Sequence, residues 1–189
     1  MKKIVIRFNA PVILTFALLS LLALLLGNWT NGATTYQYVS VYRASLSDPL
    51  TYVRFFGHVR GHADYEHYMS NMLLILLVGP GLEEKYGSGT MVWTIALTAL
   101  ITGLVHFVFF PGSVLLGASG VVFMMIVLSS FTAMRRGEIP VTLILVVIFY
   151  LGGEIMDGLF KQDSISQITH IVGGLCGLVF GFTIRRGRR

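Results

Sequence analysis

Six stretches of this chain are so apolar and so long that water cannot be their main solvent, and this constrains the fold before any motif is read. They run at about 10–27, 67–81, 91–110, 114–134, 139–153 and 165–184. A helix crossing hydrocarbon needs about 20 residues, with about 17 as the lower limit, because each residue advances it only about 1.5 Å. The second and fifth stretches are short, so they must thin the bilayer, borrow polar flanks or lie against neighbours. Composition agrees: 12% of residues are charged and 54% are hydrophobic, whereas a soluble domain carries about 25% charge. The expected fold is all-α, a polytopic six-transmembrane-helix bundle forming one membrane domain over residues 1–189, with no separate soluble domain.

The formal net charge is +5, and its placement matters more than its size. Lys2, Lys3 and Arg7 precede the first span, Lys85 follows the second, Arg135 and Arg136 follow the fourth, and Arg185, Arg186, Arg188 and Arg189 close the chain. These fall on one side, which the positive-inside rule makes cytoplasmic. Both termini then lie inside, the first, third and fifth loops lie outside, and the expected location is the cell membrane. The arginine cluster reads as a topology anchor near anionic lipid rather than a nucleic-acid site. The basic start and apolar middle of residues 1–33 also suit a secretory signal, but the apolar stretch is long and Asn31-Gly32-Ala33 is a poor cleavage site, so it is read as a span. The single cysteine, Cys176, lies inside the sixth span and is read as a packing residue. Asn28-Trp29-Thr30 fits a glycosylation sequon, a weak match that matters only in a secretory pathway.

The first outer loop, residues 28–66, carries Trp29, four tyrosines before Val53, Phe55-Phe56, His58 and His62. That mixture suits the headgroup region, so the loop is expected to be structured and partly embedded in the interface. Backbone at that depth must find its hydrogen bonds within protein.

Chemistry concentrates at two spans. In the sixth, His170, Gly173, Gly177 and Gly181 recur at intervals of three and four, which places them on one helical face. Glycines in that register admit a close backbone neighbour, and an ionisable residue within a span is a functional candidate by default. The start of the fourth span offers a matching set, Gly117, Ala118 and Gly120, around Ser119. Packing through these faces brings Ser119 and His170, each about one turn in from the outer end of its helix, to one depth as a nucleophile and its base. His67 and Asn71, four residues apart at the outer start of the second span, share a face and can donate hydrogen bonds to an oxyanion. No intramembrane carboxylate stands ready to orient His170, so the reading is a Ser/His dyad; Glu154 and Asp157 are the nearest acids.

These residues resemble the rhomboid family of intramembrane serine proteases. The resemblance is carried by the segment from His62 through His67 to Asn71, by Gly79-Pro80-Gly81-Leu82-Glu83 and Gly87, by Gly117-Ala118-Ser119-Gly120, and by His170 with Gly173 and Gly177. It implies a six-helix core, Ser119 as nucleophile, His170 as base, and His67 and Asn71 as oxyanion donors beside the Ser119 amide. It also implies a first loop that supports the site, with Glu83 among the supporting residues, and a substrate gate formed by the fifth span and fifth loop. Phe123 stands where many members have a tyrosine that stacks on the histidine, keeping the ring and losing the hydroxyl. Val53-Arg54 stands where the family has Trp-Arg, which weakens the interfacial anchor of the loop.

The expected partners are transmembrane protein substrates and membrane lipid, without nucleic acid; no cofactor and no metal are called for. Three other readings compete: a catalytically silent relative that binds transmembrane segments, a zinc site from His58, His62 and Glu66 if that stretch is helical, and a small transporter. Gly57 and Gly61 weaken the helix that the zinc site requires, and the paired intramembrane charges of a transporter are missing from the pattern.

Overall fold

A computed structural model of the protein describes residues 8–133, 138–152 and 164–184. Helix α1, Pro11–Trp29, starts on a proline whose missing N–H costs nothing at a first turn. Its next two amides, of Val12 and Ile13, donate to the two carboxylate oxygens of Glu83 at 3.0 Å each. A residue of another helix therefore caps α1. The chain turns through Asn31 and Gly32, both at positive φ, into the short α2, Ala33–Tyr38. Helix α3, Pro49–Gly57, is capped by the Asp48 side chain, which accepts from Leu50 N. A single 3-10 turn, His58–Arg60, follows it.

Helix α4, Tyr65–Tyr86, is capped by Asp64 and runs through Pro80. Helix α5, Ser88–Phe109, follows after Gly87. Helix α6, Ser119–Ser130, ends in a 3-10 turn at Phe131–Ala133. Helix α7, Val141–Val146, widens into a π turn, Val147–Leu151, and α8 spans Ser164–Thr183. Among the described residues the single strand-like pairing is an antiparallel bridge between Val41 and Leu115. The protein is thus mostly helical, and among the described residues α1 and α5 are the helices both long and apolar enough to cross a bilayer.

Helix α6 forms the centre. Every residue from Gly120 to Leu128 is buried, as expected of a helix that is apolar on all sides. Its most extensive partner is α8. A Cβ on Gly173 would run into the carbonyl oxygen of Gly120, one on Gly177 would lie 2.5 Å from the Met124 oxygen, and one on Gly181 would meet the Phe131 ring. The two helices are therefore parallel and in near backbone contact, which only glycine permits at these three points.

Three expectations change. The fourth apolar stretch is not helical from residue 114: α6 begins at Ser119, and before it Leu115 pairs with Val41 in an antiparallel bridge. Ser119 is thus the first residue of its helix rather than one turn in. The second stretch is not short, because α4 continues to Tyr86 through Pro80, giving 22 residues. Gly117 does not join the glycine contact with α8; it faces α4. The basic clusters at residues 2–7, 135–136 and 185–189, the fifth loop, Glu154 and Asp157 lie outside the described residues.

Candidate active site

Ser119, His170, His67 and Asn71 line one cavity of about 310 Å³, with Phe123 and Thr169 beside them. Each reaches it for a separate local reason. Ser119 occupies the first turn of α6, where backbone N–H groups have no intrahelical partner and the helix dipole is positive. His170 arrives through the glycine contact, which levels Gly120 with Gly173 and lays the Thr169 carbonyl against Gly120. The Phe123 ring then stacks on the His170 imidazole, with centroids 4.3 Å apart and planes 7° from parallel. That stacking fixes the imidazole plane, and a pair of this kind contributes about 0.5–1.5 kcal/mol beyond its burial.

The opposite wall comes from α4. Asp64 caps the helix by accepting from His67 N at 2.7 Å, which fixes the first turn. The His67 ring is met edge-on by His62, 5.1 Å away, and His62 in turn packs against Tyr68. Asn71, 6% exposed, donates one Nδ2–H to the His67 carbonyl at 2.9 Å. An Asn amide has two such donors, so one remains for the cavity.

The loop before Ser119 joins these walls. Gly117 has a φ of +128°, and a Cβ there would lie 2.9 Å from both Cε1 and Nε2 of His67. Its amide donates to the His58 carbonyl at 2.9 Å, and Leu115 exchanges two backbone bonds of 2.8 Å with Val41. The first loop thus supports the site directly. Its own frame is Arg54, buried, with Nε donating to the Gln37 carbonyl, Nη1 paired with Asp48 at 3.1 Å, and the guanidinium over the Tyr42 ring. Val53 is half exposed beside it. The loop is placed from within by Arg54, with no tryptophan before it.

Two further groups named from the sequence lie apart from the cavity. Glu83 lies at the other end of α4, 12 residues from Asn71, about 18 Å along the axis; it holds the start of α1 and accepts from Ser88 Oγ at 2.6 Å. The helix that would align His58, His62 and Glu66 is not formed, since the chain is extended at Gly61. His58 instead faces Thr102, whose hydroxyl already donates to the Thr98 carbonyl, so His58 Nε2–H is the donor in their 3.2 Å contact. Burial holds both His58 and His62 near a pKa of about 4, and each stays neutral at physiological pH. Among the described residues no group of three such side chains is placed to hold a metal. Sequence reasoning missed the roles of His58 and Leu115, for which the only signal was a non-local pairing.

The chain matches the Rhomboid domain over residues 49–187. It is 32% identical over 144 residues to rhomboid-related protein 1 of Caenorhabditis elegans, an alignment covering 69% of this chain and 39% of that protein. It is 27% identical over 173 residues to rhomboid-related protein 2 of Mus musculus, covering 78% of this chain and 56% of that one. The chain spans about two fifths and a little over half of the length of these curated relatives. With the domain match covering most of its length, the chain belongs to the rhomboid family.

Proposed function

We propose that this protein is an intramembrane serine endopeptidase that hydrolyses peptide bonds of transmembrane substrates near the outer membrane surface. The observation that supports this most is the convergence of Ser119, His170, Asn71 and His67 on one cavity between α4, α6 and α8. In this reading α1 and α5 cross the bilayer in full, α4, α6, α7 with its π turn and α8 pack with them to complete a six-helix membrane bundle, both termini are cytoplasmic, and the protein resides in the cell membrane. The π turn at Val147–Leu151, a feature common at functional sites, and the fifth loop together form the gate through which a substrate helix enters and unwinds.

The chemistry needs no cofactor. Ser119 Oγ bonds to the substrate carbonyl carbon while its proton passes to His170, and the carbonyl π electrons move onto oxygen. That oxyanion is met by the free Nδ2–H of Asn71, by His67 and by the Ser119 backbone N–H at the positive end of α6. His170 delivers the proton to the amine nitrogen as the C–N bond breaks, leaving an acyl-enzyme. Water then attacks the ester carbon, giving its proton to His170, which returns it to Ser119 Oγ as the acid product departs. No acidic residue is asked to orient His170, because the Phe123 ring holds its plane.

The decisive experiment is cleavage of a designed transmembrane substrate in proteoliposomes, with labelling by a serine-directed fluorophosphonate. Wild type should cleave and label, and Ser119→Ala should do neither. Cleavage that survives Ser119→Ala sinks the assignment, and substrate binding without cleavage or label marks a catalytically silent binder.

A further inference from the structure

Among the described residues no hydrogen bond reaches the His67 imidazole, although its backbone amide is fixed by Asp64. A histidine ring turns about two torsions, the second of them broad, so a donor nitrogen without such a bond points where its neighbours leave room. Gly117 bounds the ring along Cε1 and Nε2, and there the room comes from a missing side chain. The other boundary is the His62 ring, T-shaped against His67 with centroids 5.1 Å apart and planes 72° from parallel.

His62 is built as a fixed stop. It is buried, and it follows the extended Gly61, which is pressed on the Val39 carbonyl so closely that no Cβ would fit. Its Nδ1 lies 3.2 Å from the Arg60 carbonyl. A carbonyl oxygen can only accept, so Nδ1 carries the proton and the bond sets the ring plane. The ring also packs edge-on with Tyr68, at 5.5 Å and 86°, and the Tyr68 hydroxyl donates to the Ala17 carbonyl of α1 at 3.2 Å. Nε2 is left as a sealed lone pair without a donor, a cost that a hydrocarbon side chain would not carry. His62 does not line the Ser119 cavity, so whatever it does there passes through His67.

We infer that His62 is a positioning residue: its locked ring bears on the His67 imidazole and holds it toward the cavity as the substrate carbonyl becomes an oxyanion. The inference rests on the proposed Ser119 chemistry, in which His67 is one of the donors. That contact strengthens only in the transition state, so His62 should act on kcat and leave KM in place.

Two measurements test it, both on the full chain in proteoliposomes. In cleavage of the designed transmembrane substrate, His62→Ala should lower kcat about tenfold at unchanged KM, the upper range for loss of an aromatic pair. His62→Phe, which returns a ring, should recover to within about threefold of wild type. His62→Ala combined with His67→Ala should lie within about threefold of His67→Ala alone, because nothing is then left for His62 to place. In solid-state NMR with isotope-labelled histidine, the His67 ring resonances, identified by their loss in His67→Ala, should be single and sharp in wild type and broadened or doubled in His62→Ala. Thermal midpoints report folding, and His62→Leu, which fills the space without a ring, replaces His62→Ala if that variant is not folded. A kcat within about twofold of wild type, a change confined to KM, losses that multiply in the double variant, or an undisturbed His67 resonance overturns the inference. If wild type neither cleaves nor labels, the Ser119 reading fails, and the NMR arm alone decides whether His62 holds His67.

Discussion

Gly117→Ala isolates what the loop before Ser119 contributes. Two costs meet at this position. A φ of +128° is one that an L side chain rarely adopts, and holding a residue in such a region costs about 1–3 kcal/mol. The new methyl would also sit 2.9 Å from two atoms of the His67 imidazole, too close for the ring to stay. The ring must swing from the cavity, taking with it a donor that the proposed mechanism assigns to the oxyanion. Loss of one such donor slows turnover about 10²–10³-fold. The assay is kcat for a designed transmembrane substrate in proteoliposomes, measured for Gly117→Ala, His67→Ala and the double variant. If the glycine serves to admit the ring, the second substitution has little left to remove, and the double variant should lie within about threefold of His67→Ala, the non-additivity expected of residues in contact. Multiplying losses would show that Gly117 acts apart from His67, and a Gly117→Ala rate within threefold of wild type would refute the reasoning altogether.

Other outcomes follow from the same contacts. Glu83→Ala strips acceptors from two buried amides and a hydroxyl, each left unsatisfied at about 1–3 kcal/mol, so the thermal midpoint in detergent should fall steeply. Glu83→Gln keeps one acceptor oxygen and should fall about half as far; equal midpoints for the two would refute the capping role. Gly173→Ala forces α6 and α8 apart at the Gly120 carbonyl, an overpacking cost of about 1–3 kcal/mol or more, and should lower both midpoint and cleavage. The same change at Gly81, where a Cβ would meet nothing, is the control. Stability should also fall on acidification. His58 is held near pKa 4 by burial, while the unfolded chain binds that proton near 6.5. Above pH 6.5 neither state is charged; between 6.5 and 4 only the unfolded state takes the proton, a loss of about 3 kcal/mol by pH 4. His62 adds a similar loss over the same window, so His58→Gln, which still donates to Thr102, should reduce that slope by about half, and an unchanged slope would show that His58 does not contribute.

What the sequence revealed and what it hid divide along the two walls of the site. The wall made by α6 and α8 was legible because a helix writes its faces at fixed intervals: Gly173, Gly177 and His170 had to share one, and only small residues could oppose the glycines. Even there the opposing set was partly misread, since Gly120 and Met124 face α8 while Gly117 does not. The cause is that the helix starts at Ser119, and apolar residues 114–118 carry no signal separating a buried extended segment from a helix. The wall made by α4 and the first loop was legible only as polar residues at helical spacing. What places them is non-local: Gly117 on the His58 carbonyl, Leu115 on Val41, Arg54 on Gln37 and Asp48. Such pairings leave no period in the sequence. The contact made by Glu83 was hidden for the same reason, because a carboxylate that caps a helix 70 residues away looks like any buried acid near a glycine-rich turn.

That division bears on how the site can vary. The α6–α8 contact tolerates almost nothing, since a single methyl at Gly173 meets backbone that has no rotamer by which to move aside. The loop wall is held by main-chain bonds at Leu115 and Gly117 and by one internal arginine, none of which requires a particular side chain at Val53 or Leu116. The missing tryptophan before Arg54 therefore leaves the support of Ser119 intact, while the hydroxyl lost at Phe123 acts on His170 itself. Phe123→Tyr tests this asymmetry against Val53→Trp. Restoring the hydroxyl should change kcat, because it offers a donor beside the imidazole that the proposed mechanism makes the base. Restoring the tryptophan should leave kcat in place and change only how firmly the loop sits in the membrane. A kcat that changes with Val53→Trp and not with Phe123→Tyr would mean that the loop, rather than the stacked ring, governs how His170 is placed.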